Sequence, residues 1–145
     1  FRNITNKEIF VTNGSVEGIY LLAHIFLKSG DTAAIEAIGF PPAIEAIRST
    51  GASISPIRVD DGGLDPDDLE MKLQQTKIRL LYLTPLHQYP TTATLAIERR
   101  DVLCDAIDRL RDGGLAMDYR RPDGGVTIWL NTHSDSNELT RMGAA

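Results

Sequence analysis

The sequence predicts an α/β fold: an open, mostly parallel sheet with flanking helices, followed by a small C-terminal α+β piece. Three observations predict it. Strand-like and helix-like stretches alternate through Thr84 in the order β-α-β-α-β-α-β, the pattern of parallel strands joined by right-handed crossover helices. The run Ile78–Thr84, IRLLYLT, is continuously apolar apart from Arg79, as expected of a strand buried on both faces of a parallel sheet. From Leu95 the pattern changes to one long amphipathic helix and a separate strand signal. The predicted division is therefore residues 1–94 and 95–145.

Each element has a local reason. Glu8–Thr12 is a strand candidate. Ser15–Lys28 is a helix candidate with Ser15 as its N-cap and Gly30 just past its end. Thr32–Ile38 is a second strand. Pro41–Thr50 reads as a helix with proline in its first turn, where a missing N–H costs little, closed by Gly51. Ala52–Val59 alternates and is β-rich, and Asp60-Asp61-Gly62-Gly63 is a turn. Asp65-Pro66-Asp67-Asp68 opens a helix with a cap, a proline at its first position and acids at the positive helix end. That helix ends near Thr76, with Lys72 on its solvated face. Leu95–Leu110, LAIERRDVLCDAIDRL, is a helix ended by Arg111–Gly114. Gly125–Asn131 reads as an edge-like strand, and Ser134–Met142 as the start of another helix.

Composition narrows the functional classes. The 145 residues carry a formal charge of -5, with no dense Lys/Arg cluster, which argues against nucleic-acid binding by this chain alone. The longest apolar stretch, Ile19–Leu27, is interrupted by His24 and is too short to span a bilayer. The single cysteine, Cys104, excludes an internal disulfide and lies in an apolar-periodic stretch, so a buried structural thiol and a reducing cytoplasm are expected. The three histidines share no ligand-like spacing, so no metal site is expected. The chain lacks an initiator Met, which fits a fragment.

Three stretches can carry chemistry. Thr12–Gly18, TNGSVEG, places Gly14 and Ser15 at a helix start, where unpaired N–H groups and the helix dipole suit an anion. The same seven residues also read as an ordinary helix cap. In Glu36–Ala46, EAIGFPPAIEA, Phe40 falls between a strand and a helix, at the carboxyl edge where open α/β sheets bind ligands, or simply packs a loop. In Thr84–Thr92, TPLHQYPTT, His87, Gln88 and Tyr89 stand between two prolines after the most apolar strand.

In this order the stretches resemble fold-type I aminotransferases that use pyridoxal phosphate. The likeness is nearest to the aminotransferase-like domain of MocR-type regulators of the GntR family, and to kynurenine/aminoadipate-type aminotransferases. The family reads "TxGSQQGLxLLAxxLLxPGD…ExPGYP" and then "YxTPSHQFPTG". This chain has TNGSVEGIYLLAHIFLKSGDTAAIEAIGFPP and LYLTPLHQYPTT, and the resemblance runs almost continuously from Ile9 to Arg100. It implies that Gly14, Ser15 and Val16 hold the cofactor phosphate, that Phe40 stacks on the pyridine ring, and that the loop His87-Gln88-Tyr89 lies beside the ring's 3-oxygen. It also implies a homodimer acting on an amino acid and a 2-oxo acid, and the regulator pattern HQ[FY]PT is the one followed here.

Departures qualify these implications. Val16 replaces the usual Gln, Glu17 brings a negative charge to the cup, and Thr92 replaces the usual Gly. The family's Asp for the pyridine nitrogen and its Ser-x-x-Lys segment have no match, and the only lysines are Lys7, Lys28, Lys72 and Lys77. Instead, IERRDVLCDAIDRL and RRPDGGVTIWL resemble the family's small C-terminal domain, as though the chain passes from the large domain to the small one within Thr94–Asp101. No catalytic residue is assigned. The expected function is a pyridoxal-phosphate-binding aminotransferase-like protein, inactive as this chain. The alternatives are the effector-sensing domain of a GntR/MocR-type regulator and a non-catalytic α/β fragment.

Overall fold

A computed structural model describes residues 10–112, 118–119 and 130–131. Its centre is a three-stranded parallel sheet of β1 (Thr32–Glu36), β2 (Ser53–Ile57) and β5 (Ile78–Tyr82), in the order β2-β1-β5. The helices α1 (Ser15–Phe26), α2 (Pro41–Ser49), α3 (Pro66–Gln75) and α4 (Ile97–Asp112) flank it. A short antiparallel pair, β3 (Val59–Asp60) with β4 (Gly63–Leu64), follows β2, and β6 (Asp118–Tyr119) pairs with β7 (Leu130–Asn131). The rest of the predicted strand Gly125–Asn131, and the predicted helix Ser134–Met142, lie outside the described residues.

The sheet divides the core in two because side chains alternate across a strand. Ala33 and Ile35 of β1 join Ala23 and Leu27 on one face, with Ala43, Ala46 and Ile47 of α2. Ala34 joins Ile57, Leu64, Leu69, Ile78, Leu95, Leu103 and Ile107 on the other. β1 is thus buried on both faces, as a central parallel strand should be. The double burial predicted for Ile78–Thr84 belongs to β1 instead. β5 is an edge of the described sheet, and only its first residue, Ile78, is buried.

Other local readings shift with the tertiary contacts. Phe10–Thr12 form no strand, and Phe10 and Val11 stand in solvent, so no buried face sets a register for them. Glu8 and Ile9 lie outside the described residues. Lys72 is not solvated: its ammonium donates to the Pro56 carbonyl and lies 3.5 Å from the buried Asp68 carboxylate. Asp65 caps α3 as its sequence predicts, accepting from the N–H groups of Asp67 and Asp68 at 3.0 and 3.2 Å. Cys104 is fully buried.

α4 is anchored at its start. Arg99 donates to both Asp60 carboxylate oxygens, at 2.5 and 2.7 Å, and to the Gly63 carbonyl at 3.2 Å. Leu103 and Ile107 then enter the second core. Truncating Leu103 to Ala is expected to cost about 2–5 kcal/mol in urea denaturation, the range for a buried Leu. A cost well below that range would show that α4 contributes little to the common core.

Candidate functional site

Two of the three chemical stretches meet at the carboxyl edge of the sheet: the turn after β1 carries Phe40, and the segment after β5 carries His87, Gln88 and Tyr89. At the opposite edge the Arg79 guanidinium, near the start of β5, donates to the Phe26 carbonyl at 3.0 Å, so α1 ends at the amino side of the sheet.

The first turn is open. Gly14, not Ser15, is the N-cap residue of α1, and no side chain caps it. Ser15 was expected to cap, but the chain enters the helix through a backbone with φ 94° and ψ 174° at Gly14, a region where a side chain is strained. This places Ser15 within the helix. A Cβ added at Gly14 would meet nothing within 4 Å, and the first N–H groups of a helix lack intrahelical partners. Ser15 and Val16 are exposed beside them. Glu17 turns back, and its carboxylate accepts from the Asn13 N–H. A negative charge therefore sits at the rim of the cup.

Phe40 is the N-cap residue of α2, followed by Pro41 and Pro42 in the first turn. Its approach depends on Gly39, where an added Cβ would lie 2.8 Å from the Glu36 carbonyl oxygen. The Phe40 ring meets the Tyr89 ring edge-on, with centroids 6.1 Å apart and planes at 73°, a favourable aromatic geometry. Tyr89 is half-exposed and His87 is exposed. Of the six predicted residues, Phe40 and Tyr89 are thus in contact. His87 adjoins Tyr89 through Gln88, and Gly14, Ser15 and Val16 lie at the start of α1.

Glu36 was missed as part of this edge, and the burial of Gln88 was not foreseen. Glu36, the last residue of β1, is 2% exposed and accepts from the Thr84 N–H at 3.2 Å and hydroxyl at 2.5 Å. Gln88 is 1% exposed. The signal available was a single Glu closing the apolar strand TAAIE, a residue type that is rarely buried without partners. Thr92, where the family has Gly, has φ 60°, which explains the preference for Gly and marks a strained backbone. Its N–H donates to the Gln88 carbonyl at 2.6 Å.

Comparison with known proteins assigns this arrangement to a family. The family model for aminotransferase class I and II matches residues 1–96. The chain belongs to this family. It is 37% identical over 102 residues to the HTH-type transcriptional regulator TauR of Rhodobacter capsulatus, covering 70% of this chain and 20% of TauR. The crystal structure of an archaeal alanine:glyoxylate aminotransferase superposes with a TM-score of 0.70 at 26% identity, covering 74% of this chain and 28% of that one. The α-aminoadipate aminotransferase LysN of Thermus thermophilus, crystallised with N-(5'-phosphopyridoxyl)-L-leucine, gives 0.69 at 27% identity, covering 98% of this chain and 36% of LysN. The chain spans about a fifth to a quarter of the first curated relatives it matches.

Burial pushes the Glu36 carboxyl above its ordinary 4.5, against the Thr84 hydrogen bonds and the Gln88 amide, which pull it down. Burial, with the Glu36 charge added, likewise raises Tyr82. A carboxyl whose folded value is raised contributes stability that is full below the unfolded value and is lost as pH rises through the folded value. Glu36→Gln, which cannot ionise, is therefore expected to gain melting temperature relative to the parent as pH rises from about 4 to neutral. Circular-dichroism melts across that range check it, and a gap that closes with rising pH would contradict the assignment.

Proposed function

We propose that this edge holds the phosphate and the pyridine ring of pyridoxal 5'-phosphate. The observation that carries the reading is the Phe40–Tyr89 ring pair, with the uncapped start of α1 as the proposed phosphate end of the same site. The residues fit the group in two respects. The N–H groups of the first turn, around Gly14, Ser15 and Val16, suit a phosphate. The flat faces of Phe40 and Tyr89, with His87 beside them, suit a planar heterocycle. When bound, the cofactor supplies a ring that withdraws electrons from an attached amino acid.

The fit stops at the covalent tether. Among the described residues the lysines are Lys28, Lys72 and Lys77. Lys28 follows the far end of α1, Lys77 precedes the start of β5, and Lys72 is engaged with Pro56 and Asp68. None of the three lies on the segments that form the cradle. The chain's own contribution is accordingly to bind and orient the ring and phosphate and to shield one ring face. Amino-group transfer by this chain alone is not expected.

A second reading, a ligand-sensing domain of a GntR/MocR-type regulator, is favoured by the likeness to TauR and by the HQYP sequence. Both readings use the same cradle. Family membership also supports an amino acid and a 2-oxo acid as substrates of the whole protein. We further propose a homodimer, with the exposed Val16, Tyr20 and Leu22 of α1 available to a partner copy, and a cytoplasmic setting. The division into a large-domain part, residues 1–94, and a small-domain part, 95–145, is likewise a proposal.

Titration with pyridoxal 5'-phosphate is expected to saturate, while pyridoxal without its phosphate binds far more weakly. Borohydride reduction of the mixture is expected to leave no stoichiometric label on any lysine, and peptide mapping that finds one would overturn the account of a non-covalent cradle. At the rim, Glu17→Gln removes a negative charge from the anion site. It is expected to tighten phosphate-dependent binding about two- to fivefold, the scale of a charge at a helix terminus. Calorimetric titration that shows unchanged binding instead would place the phosphate away from α1.

A further inference from the structure

Gln88 lies between two proposed site residues, yet it is 1% exposed while His87 and Tyr89 stand in solvent. Burying an amide this fully is costly unless its atoms are paired. They are: Nε2 donates to the Ile38 carbonyl in the turn after β1, and Oε1 accepts from the Thr91 hydroxyl at 2.6 Å and N–H at 3.4 Å. The Gln88 N–H donates to the Ala93 carbonyl at 2.9 Å.

These bonds do two different jobs. Those to Thr91, Thr92 and Ala93 shape the loop itself, against the left-handed backbone of His87 and Thr92 at φ 53° and 60°. The bond to Ile38 crosses to a segment 50 residues away in the chain. Phe40 is two residues beyond Ile38, and Tyr89 adjoins Gln88. The crossing bond therefore joins the two segments that carry the paired rings.

We propose that Gln88 is the positioning residue of the ring site: by tying the loop after β5 to the turn after β1, it sets Tyr89 against Phe40 as a two-ring wall for a planar, phosphorylated ligand. The role rests on the cofactor reading above, and Gln88 acts through Tyr89 and Phe40. It divides the site by function. The α1 turn answers for the phosphate, and Gln88 answers for the ring.

The division gives the test. Full-chain Gln88→Met keeps the shape but loses the amide. Two probes are titrated, pyridoxamine 5'-phosphate and inorganic phosphate, and amide exchange is followed at Thr92 and Leu95, whose N–H groups bond within the loop. Expected are a loss of about tenfold for pyridoxamine 5'-phosphate, the effect of one buried hydrogen bond left unmade, unchanged binding of inorganic phosphate, and faster exchange at both amides. Thr91→Ala, which leaves the Ile38 bond in place, should keep most of the ring-dependent affinity. An equal loss for both probes, or no loss, overturns the proposal. Should Gln88→Met fail to fold, Gln88→Asn, which keeps a neutral amide but is one methylene too short to reach Ile38, is read in the same way. If the parent binds neither probe, the cofactor reading fails on its own. Exchange then decides the positioning role: unchanged rates at Thr92 and Leu95 overturn it, and faster rates sustain the tie between the two segments.

Discussion

The structure turns on one buried carboxylate. Glu36 closes the central strand, β1, inside the protein, and both Thr84 donors converge on it from the end of the neighbouring strand. A buried charge is costly unless it is hydrogen-bonded, so the strand ends are held where those bonds can form. The residues just beyond, Gly39 and Phe40 on one side and Pro85 to Tyr89 on the other, leave the sheet from this fixed point. The cost of burying the charge is visible in the raised carboxyl value.

The proposed site is then assembled from loops of different character. The α1 turn is open and held by short local bonds, with the Thr12 hydroxyl on the Gly14 carbonyl and Glu17 on the Asn13 N–H. The turn after β1 is tight, because Gly39 packs onto the Glu36 carbonyl. The loop after β5 is fastened at both ends: Thr84 bonds Glu36, and Leu95 donates to the Pro85 carbonyl at 2.8 Å. Arg99, on Asp60 and Gly63, fixes the first turn of α4 beyond that loop. A rigid scaffold carrying exposed rings and an open helix start is a common way to build a ligand site.

Against the family pattern, the chain departs at Val16, Glu17 and Thr92. Glu17 lends negative charge to the cup, and Thr92 takes up a backbone that Gly would adopt without strain. Tyr89 meets the Phe40 ring edge-on.

Much of this was legible in the sequence, and the limit falls along sequence distance. Periodicity and punctuation identified each described helix and each strand of the main sheet, because their causes are local: Asp65 caps within three residues, Pro41 starts a helix at once, and the apolar run in TAAIE needs no partner to be seen. The ordered motifs located Gly14, Phe40, His87 and Tyr89 as candidates. What the sequence could not decide was which strand would be central, that Gly14 rather than Ser15 would cap α1, or that Lys72 would fold onto β2. Nor could it foresee that Glu36 and Gln88 would be buried and paired, since their partners Thr84 and Ile38 lie 48 and 50 residues away. A residue's local pattern sets its secondary structure, but the burial of a polar group and the bond that compensates it exist only once distant segments are folded together.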